Sequence, residues 1–411
     1  MKIISIHNYY QTRGGEDQLY EDEVELLESK GHDVIRHTIH SDSISKSKLV
    51  KIAAQTLWNR ESYKKLTDLI SEARPDIIHS VNTFPLFSPS IFHAARKQNI
   101  PFVATIQNYR YFCAQAMCFR DGKACEACLG KLPWRAVTNR CYRGSVLGSA
   151  VVASMQVLHQ KMRSWNDYID VICVASEFSK SKLAKAGIPQ DRMIIKPNFV
   201  PTDPGARDGK GGYAVFVGRL ADEKGLETLV KAWRKLHSKG DSIPLKVVGD
   251  GPDSETVRCL ANDLENVQWL GRVPNEKVYE VVGDAACLIF PSTGYESMPK
   301  TLIESMAVGT PVIGADIGSL TEVVTEDVTG SLFPVGDPDG LAAAVEKFFA
   351  LQDKYPEMRK ACRQQFVDRF TAEANYLQLI QIYQEAIRRR ATGHLTSPAK
   401  GTGVENFKLA D

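Results

Sequence analysis

The residues best suited to chemistry lie in one run, Tyr295 to Val312, which reads YESMPKTLIESMAVGTPV. Glu296 and Glu304 stand eight positions apart, with Met298, Pro299, Lys300, Thr301 and Leu302 between them. Proline is tolerated in the first turn of a helix, where a backbone N–H has no intrahelical partner. The pattern therefore predicts a loop that leaves the apolar strand ACLIFP and enters a helix at Pro299. The backbone N–H groups of Lys300, Thr301 and Leu302 are then free, which makes an anion site suited to a diphosphate. A diphosphate would repel carboxylates, so Glu296 and Glu304 are expected to bind hydroxyls of a sugar and of a ribose. Taken alone, the same glutamates fit a solvated helix beside a strand.

A second run, Phe216 to Gly225, ends a strand in Gly218 and then places Arg219 and Lys224 five positions apart. An arginine fork and a lysine point charge are what a departing nucleotide diphosphate needs for its growing negative charge. Thr12-Arg13-Gly14-Gly15-Glu16 lies between the first strand and first helix, where paired glycines let a ligand approach the helix N-terminus. It lacks the third glycine of a dinucleotide fingerprint. Gly249 and Gly251 in VGDGP, and Val273 in LGRV, sit at further strand ends, the edge where α/β folds bind ligands.

Five of the nine cysteines fall between Cys113 and Cys141, and Cys125 and Cys128 form a C-x-x-C pair. In a reducing compartment such a cluster points to metal, and Cys113, Cys125, Cys128 and Cys141 are an expected structural zinc set. Free thiols and a disulfide are the alternatives. Catalytic zinc is disfavoured because no His and carboxylate set accompanies the thiols. His7, His79 and His159 lie among apolar neighbours and are expected to be core or supporting histidines.

The elements that must position these residues follow a βαβ rhythm. Strands are expected near Lys2–His7, Asp33–Thr38, Asp76–Ser80, Pro101–Ile106 and Asp170–Ala175, with a helix from Gly15 to Lys30 that Gly31 ends. A second series comprises YAVFVG, PLKVVG, VQWLG, ACLIFP and TPVIGA. Between the two series, the proline- and glycine-rich stretch from Lys196 to Gly212 reads as a linker. The expected division is two βα domains, 1–198 and 199–370, then a helix at 371–390 returning to the first domain and a disordered tail at 391–411.

At 411 residues, 43% hydrophobic and 24% charged, the chain has the length and balance of a two-domain globular protein. A net charge of +2 argues against a nucleic-acid binder. No apolar run reaches membrane-spanning length, and no signal peptide is legible, so a cytoplasmic location is expected. Six cations between Lys46 and Lys65 around Trp58 offer a peripheral contact with the inner face of a membrane, against a solvated helical face, the reading favoured here.

In order and spacing, Gly14-Gly15-Glu16, Gly31-His32-Asp33-Val34, Gly218-Arg219 to Lys224-Gly225, Gly249 to Pro252, and Glu296 to Glu304 with Gly309-Thr310-Pro311-Val312 resemble glycosyltransferase family 4, also described as group 1. The resemblance covers residues 1 to about 390. It implies a GT-B fold of two Rossmann-like domains facing a cleft, a nucleotide diphosphate sugar donor, transfer to a sugar or lipid-linked acceptor with retention, and no catalytic metal. By position it gives Arg219 and Lys224 to the diphosphate, Glu304 to the ribose, Glu296 to the transferred sugar and Gly15 to the phosphate. One position departs: where many relatives have a histidine, this chain has Gln107, which cannot carry a proton. Two other readings stand beside transfer, a GT-B nucleotide-sugar epimerase and an inactive sugar-nucleotide binding protein.

Overall fold

In the computed structural model, which describes residues 1–43 and 49–393, the chain folds into two halves, each on a six-stranded parallel sheet. The first contains β1 (Lys2–Tyr9), β2 (Asp33–His40), β3 (Ile77–Asn82) and β4 (Phe102–Ile106). A short antiparallel hairpin of β5 (Phe119–Arg120) and β6 (Lys123–Ala124) intervenes before β7 (Val171–Val174) and β8 (Met193–Ile195). The order across this sheet is β2-β1-β3-β4-β7-β8. The second sheet contains β9 (Ala214–Val217), β10 (Leu245–Val248), β11 (Val267–Gly271), β12 (Cys287–Phe290), β13 (Val312–Ala315) and β14 (Gly330–Phe333), in the order β11-β10-β9-β12-β13-β14. This is the GT-B arrangement.

Strand composition follows position in the sheet. β3, β4, β7, β12 and β13 are buried along their whole length, because helices cover both faces of a parallel sheet. β2 is an edge strand, and its DVIRHTIH alternates between partly buried and exposed residues over most of its length. The two outer strands β8 and β14 are additions to the strands expected from sequence. Three and four residues long, they carry too short an apolar run to stand out from a loop.

The linker is tied down rather than loose. Val200 bridges to Thr371, and the Arg207 N–H donates to the Val308 carbonyl at 3.1 Å. The last helix, Ala372–Ala391, packs Leu379, Ile382, Tyr383 and Ala386 against Ile3, Ile77, Val103 and Val171 of the first sheet. At its end, Arg390 Nη2 donates to buried Asp170 Oδ2 at 2.5 Å. Most of the expected tail lies outside the described residues, as do Lys46 and Lys48. Trp58, from the same basic stretch, sits against Tyr63, His93 and His159.

Candidate active site

In each sheet the strand order reverses at one place, between β1 and β3 and between β9 and β12. Ligands of open α/β sheets bind beyond the carboxyl ends of the strands at such a switch point. Here the ends of β9 and β12 face the β1 and β4 ends of the other sheet across a cavity of about 470 Å³. Gly15, Arg219, Lys224, Glu296, Met298, Pro299, Lys300 and Thr301 all line it. Sequence positions nearly 300 apart thus meet on one space.

Lys224 and Glu296 form the centre of the C-terminal wall. Lys224 Nζ donates to Glu296 Oε1 at 2.5 Å, and Ser292 Oγ donates to the same oxygen at 3.0 Å. The backbone brings them together because Gly225 adopts φ +72°, where a Cβ would lie 1.8 Å from the Pro291 carbonyl oxygen. Only glycine permits that approach of the Lys224 turn to the end of β12. Arg219, at the end of β9, is half exposed and pairs with Glu223. The Glu223 carbonyl also accepts from the N–H groups of Thr293 and Gly294 at 3.0 and 3.1 Å, fixing the loop that leads to Glu296.

The helix after this loop is Lys300–Ala307, with Pro299 as its N-cap. Its free end is smaller than expected. The Leu302 N–H donates to the Pro299 carbonyl at 3.1 Å and Leu302 is fully buried, so only Lys300 and Thr301 face the cavity. A tightened first turn of this kind uses a donor that an ideal helix would leave open. The Leu302 side chain packs in the core behind this first turn.

Other residues named from sequence stand behind the cavity wall. A Cβ on Gly249, at φ +139°, would lie 1.9 Å from the Gly218 carbonyl oxygen, so Gly249 lets the loop carrying Arg219 pack onto β10. Leu220 N–H donates to the Asp250 carbonyl at 3.0 Å, and Gly251 lies against Leu220. Val273 packs with the apolar cluster around Leu302 and Met306. Glu304 is half-buried outside the cavity lining, and burial pushes its carboxyl pKa up, opposed by Lys300.

Several contacts join the halves around the cavity. Lys300 pairs with Asp22 on the helix Gly15–Ser29. Asn198 Nδ2 donates to the Met298 carbonyl at 2.7 Å, while Gln107 Nε2 donates to Asn198 Oδ1 at 2.9 Å. Ser297 Oγ donates to the Gln107 carbonyl at 3.0 Å. On the far side, Glu322 accepts from the N–H groups of Glu177 and Phe178 at 2.9 and 2.6 Å, capping the helix Glu177–Lys185. Gln107 thus holds the loop before Pro299.

Glu16 is the residue that sequence reasoning leaves without a role. It lines the cavity, accepts from Tyr10 Oη at 2.5 Å and from Asn108 Nδ2 at 3.3 Å, and burial raises its carboxyl pKa. Its only signal in the sequence is its place directly after the paired glycines. His7, His79 and His159 are buried and hydrogen-bonded, to Asp17, to Tyr383 and Thr105, and to Ser164 and the Leu57 carbonyl.

The cysteines of the cluster stay close together in the structure. All nine cysteines are free, and among the described residues no three His, Cys, Asp or Glu side chains are arranged to hold a metal ion. Cys113, Cys125, Cys128 and Cys141 do line one small cavity. Neighbouring Cys118 and backbone N–H groups of Cys118, Gln115 and Ala116 pull the Cys113 thiol pKa down to about 6.

Two family models match consecutive parts of the chain: Glycosyltransferase Family 4 over residues 14–204 and Glycosyl transferases group 1 over 203–365. A GDP-mannose-dependent alpha-mannosyltransferase of Corynebacterium glutamicum is 26% identical over 78% of this chain and 70% of its own length. A Mycobacterium tuberculosis GDP-mannose-dependent alpha-(1-6)-phosphatidylinositol monomannoside mannosyltransferase is 28% identical over 51% of this chain and 60% of its own. The chain spans less than two thirds of the length of several of the curated relatives it matches, 56%, 60%, 44% and 63% in four of them. In structure, the chain is similar to an Anabaena protein, HepE, solved in complex with UDP, with a TM-score of 0.65, 16% identity, and 93% and 100% of the two chains covered. A glycosyltransferase from Rickettsia africae gives a TM-score of 0.65 at 17% identity, covering 94% and 98%.

Proposed function

We propose, for a chain that belongs to the group 1 glycosyltransferases, that it is a retaining, metal-independent hexosyltransferase moving a sugar from a nucleotide diphosphate sugar to an acceptor hydroxyl. The observation that carries this reading is the placement of Arg219 and Lys224 on one cavity with the open end of the helix Lys300–Ala307. Two cations and a helix N-terminus give a diphosphate the stabilisation it needs as its charge grows. Residues 199–370 are read as the donor side and 1–198 as the acceptor side.

In this reading Arg219 exchanges Glu223 for a phosphate oxygen, and Lys224 moves its charge from Glu296 to the diphosphate. Glu296, relieved of Lys224, accepts hydrogen bonds from the donor sugar. The bond from the anomeric carbon to the diphosphate breaks, the acceptor oxygen bonds to that carbon from the same face, and the acceptor proton passes to the departing phosphate. Gln107 carries no proton in this scheme and acts by holding Asn198 and Ser297. Epimerisation would need an acid and a base at the sugar carbon.

GDP-mannose is the first donor to test, because relatives from two genera are named for it, and polysaccharide or glycolipid is the proposed acceptor class. Purified protein is incubated with GDP-mannose and with UDP-sugars, with and without EDTA, and released nucleoside diphosphate is measured. Release that Arg219→Ala abolishes and EDTA leaves unchanged supports the reading. Absence of both release and binding across the panel removes it.

A further inference from the structure

The segment that begins the helix Trp134–Thr138 and ends in the first turn of the helix Val146–Lys161 exposes side chains that a water-facing surface normally covers. Trp134 is 68% exposed and Leu147 80%, with Leu132 at 52% and Val146 at 45%. Eleven large apolar side chains are exposed among the described residues, and these four fall within sixteen consecutive positions. Scattered single exposures are ordinary, but a cluster marks an interaction site.

The same segment carries one sign of charge. No acidic residue occurs between Glu126 and Asp167, whereas Lys131, Arg135, Arg140 and Arg143 are interspersed along the chain with the exposed apolar groups. Those four cations are themselves exposed, and among the described residues none has a carboxylate at ion-pair distance. An exposed tryptophan with aliphatic neighbours in one segment and unpaired cations matches the boundary of an anionic bilayer, where the apolar tips enter the acyl layer and the cations meet headgroup phosphates. A second copy of the chain fits less well, since two such faces would bring like charges together.

From this we infer that the lobe Lys131–Leu147 is a docking surface for an anionic lipid bilayer. A cavity of about 210 Å³ between Tyr10, Phe84, Arg110, Tyr142 and Arg143 adjoins the lobe. Arg110 also lines a smaller inner cavity with Glu16, Gln107 and Asn108, all three of which face the main cavity. An acceptor carried by the membrane would enter by that route. This last step rests on the transferase reading, whereas the docking itself does not.

The test is co-sedimentation of the full chain with vesicles, which needs no donor and no turnover. The protein is expected to pellet with mixed phosphatidylcholine and phosphatidylglycerol, to stay in solution with phosphatidylcholine alone, and to be released by salt. The double variant Trp134→Glu/Leu147→Glu should bind at least about tenfold more weakly. Arg135→Glu/Arg140→Glu should lose the phosphatidylglycerol dependence. Leu377→Glu, at a leucine 54% exposed on the last helix, should bind as the wild type does. Failure to pellet with any vesicle overturns the inference, as does equal binding by the Trp134→Glu/Leu147→Glu variant. Sedimentation as a dimer that this variant abolishes would also overturn it, assigning the face to a second copy.

Discussion

Lys224 Nζ meets Glu296 Oε1 at 2.5 Å, joining the turn after β9 to the loop after β12 at the point where the strand order reverses. On the proposed reading, the lysine assigned to a diphosphate here neutralises the carboxylate assigned to a sugar. The pair keeps two charges of opposite sign together in a partly buried cavity.

Removing the lysine should therefore affect the transition state more than the fold. Lys224→Ala is expected to lower kcat by about 10²–10³, as loss of one preorganised charge or donor does. Glu296→Gln should weaken discrimination between donor sugars. Nucleoside diphosphate release at saturating donor, with thermal melting as the folding control, measures both. A Lys224→Ala enzyme of unchanged kcat would remove the lysine from the chemistry.

Closure of the two halves should depend on Asp22, whose carboxylate pairs across the cleft with Lys300. Asp22→Ala leaves Lys300 without its partner, and hydrogen bonds to charged groups contribute roughly 1.5–3 kcal/mol. Donor KM should rise by about ten- to a hundredfold if closure accompanies binding. Small-angle scattering should show a larger radius of gyration for the variant than for wild type, reduced again by donor. Identical scattering profiles would mean that other contacts, such as Asn198 to Met298, set closure alone.

Much of this site is legible in the chain because its parts are local. Gly218-Arg219 and Pro299-Lys300 each combine a strand end or helix start with the charge beside it, and such signals survive without tertiary context. Two glutamates eight apart say nothing of which faces the ligand, and the structure separates them, Glu296 on the cavity and Glu304 outside its lining. The Leu302 N–H is lost to a bond in the first turn that no residue pattern announces. Asp22 and Glu16 gain their meaning from partners 278 and 92 positions away, Lys300 and Asn108. β8 and β14 escape because edge strands of three and four residues are specified by the sheet they join.

A buried ionic group under the cleft should govern acid stability. Glu23 accepts from Lys196 Nζ at 2.7 Å and lies 3.0 Å from His79 Nδ1, with all three side chains nearly inaccessible. Burial alone would raise the Glu23 pKa, but Lys196 and His79 outweigh it and hold it at about 2, below the ordinary 4.5. The contribution to stability is present above pH 4.5 and is lost as pH falls toward 2. Denaturant titrations across that window should show stability falling with acid, and Glu23→Gln should flatten the slope. Lys196→Met should cost about 3–5 kcal/mol by leaving a buried carboxylate unpaired. An unchanged slope in Glu23→Gln would place the acid-sensitive group elsewhere.

Gly249 offers a contrast that separates backbone packing from ligand contact. At φ +139° it occupies a conformation that L side chains rarely adopt, and a Cβ would lie 1.9 Å from the Gly218 carbonyl oxygen, directly before Arg219. Gly249→Ala must push the β9 loop outward, and strain plus overpacking should cost on the order of 2–5 kcal/mol. Because that loop carries Arg219, the variant should lose transfer even where enough protein remains folded to assay. Gly14 is the control: it is extended at φ −127°, and a Cβ there has nothing within 4 Å. Gly14→Ala should stay within about 1 kcal/mol of wild type, and any loss of activity would report a ligand needing that open space. Urea midpoints and diphosphate release on both variants distinguish the cases. Wild-type stability and rate in Gly249→Ala would show that the loop can retreat without moving Arg219, and would detach the glycine from the site.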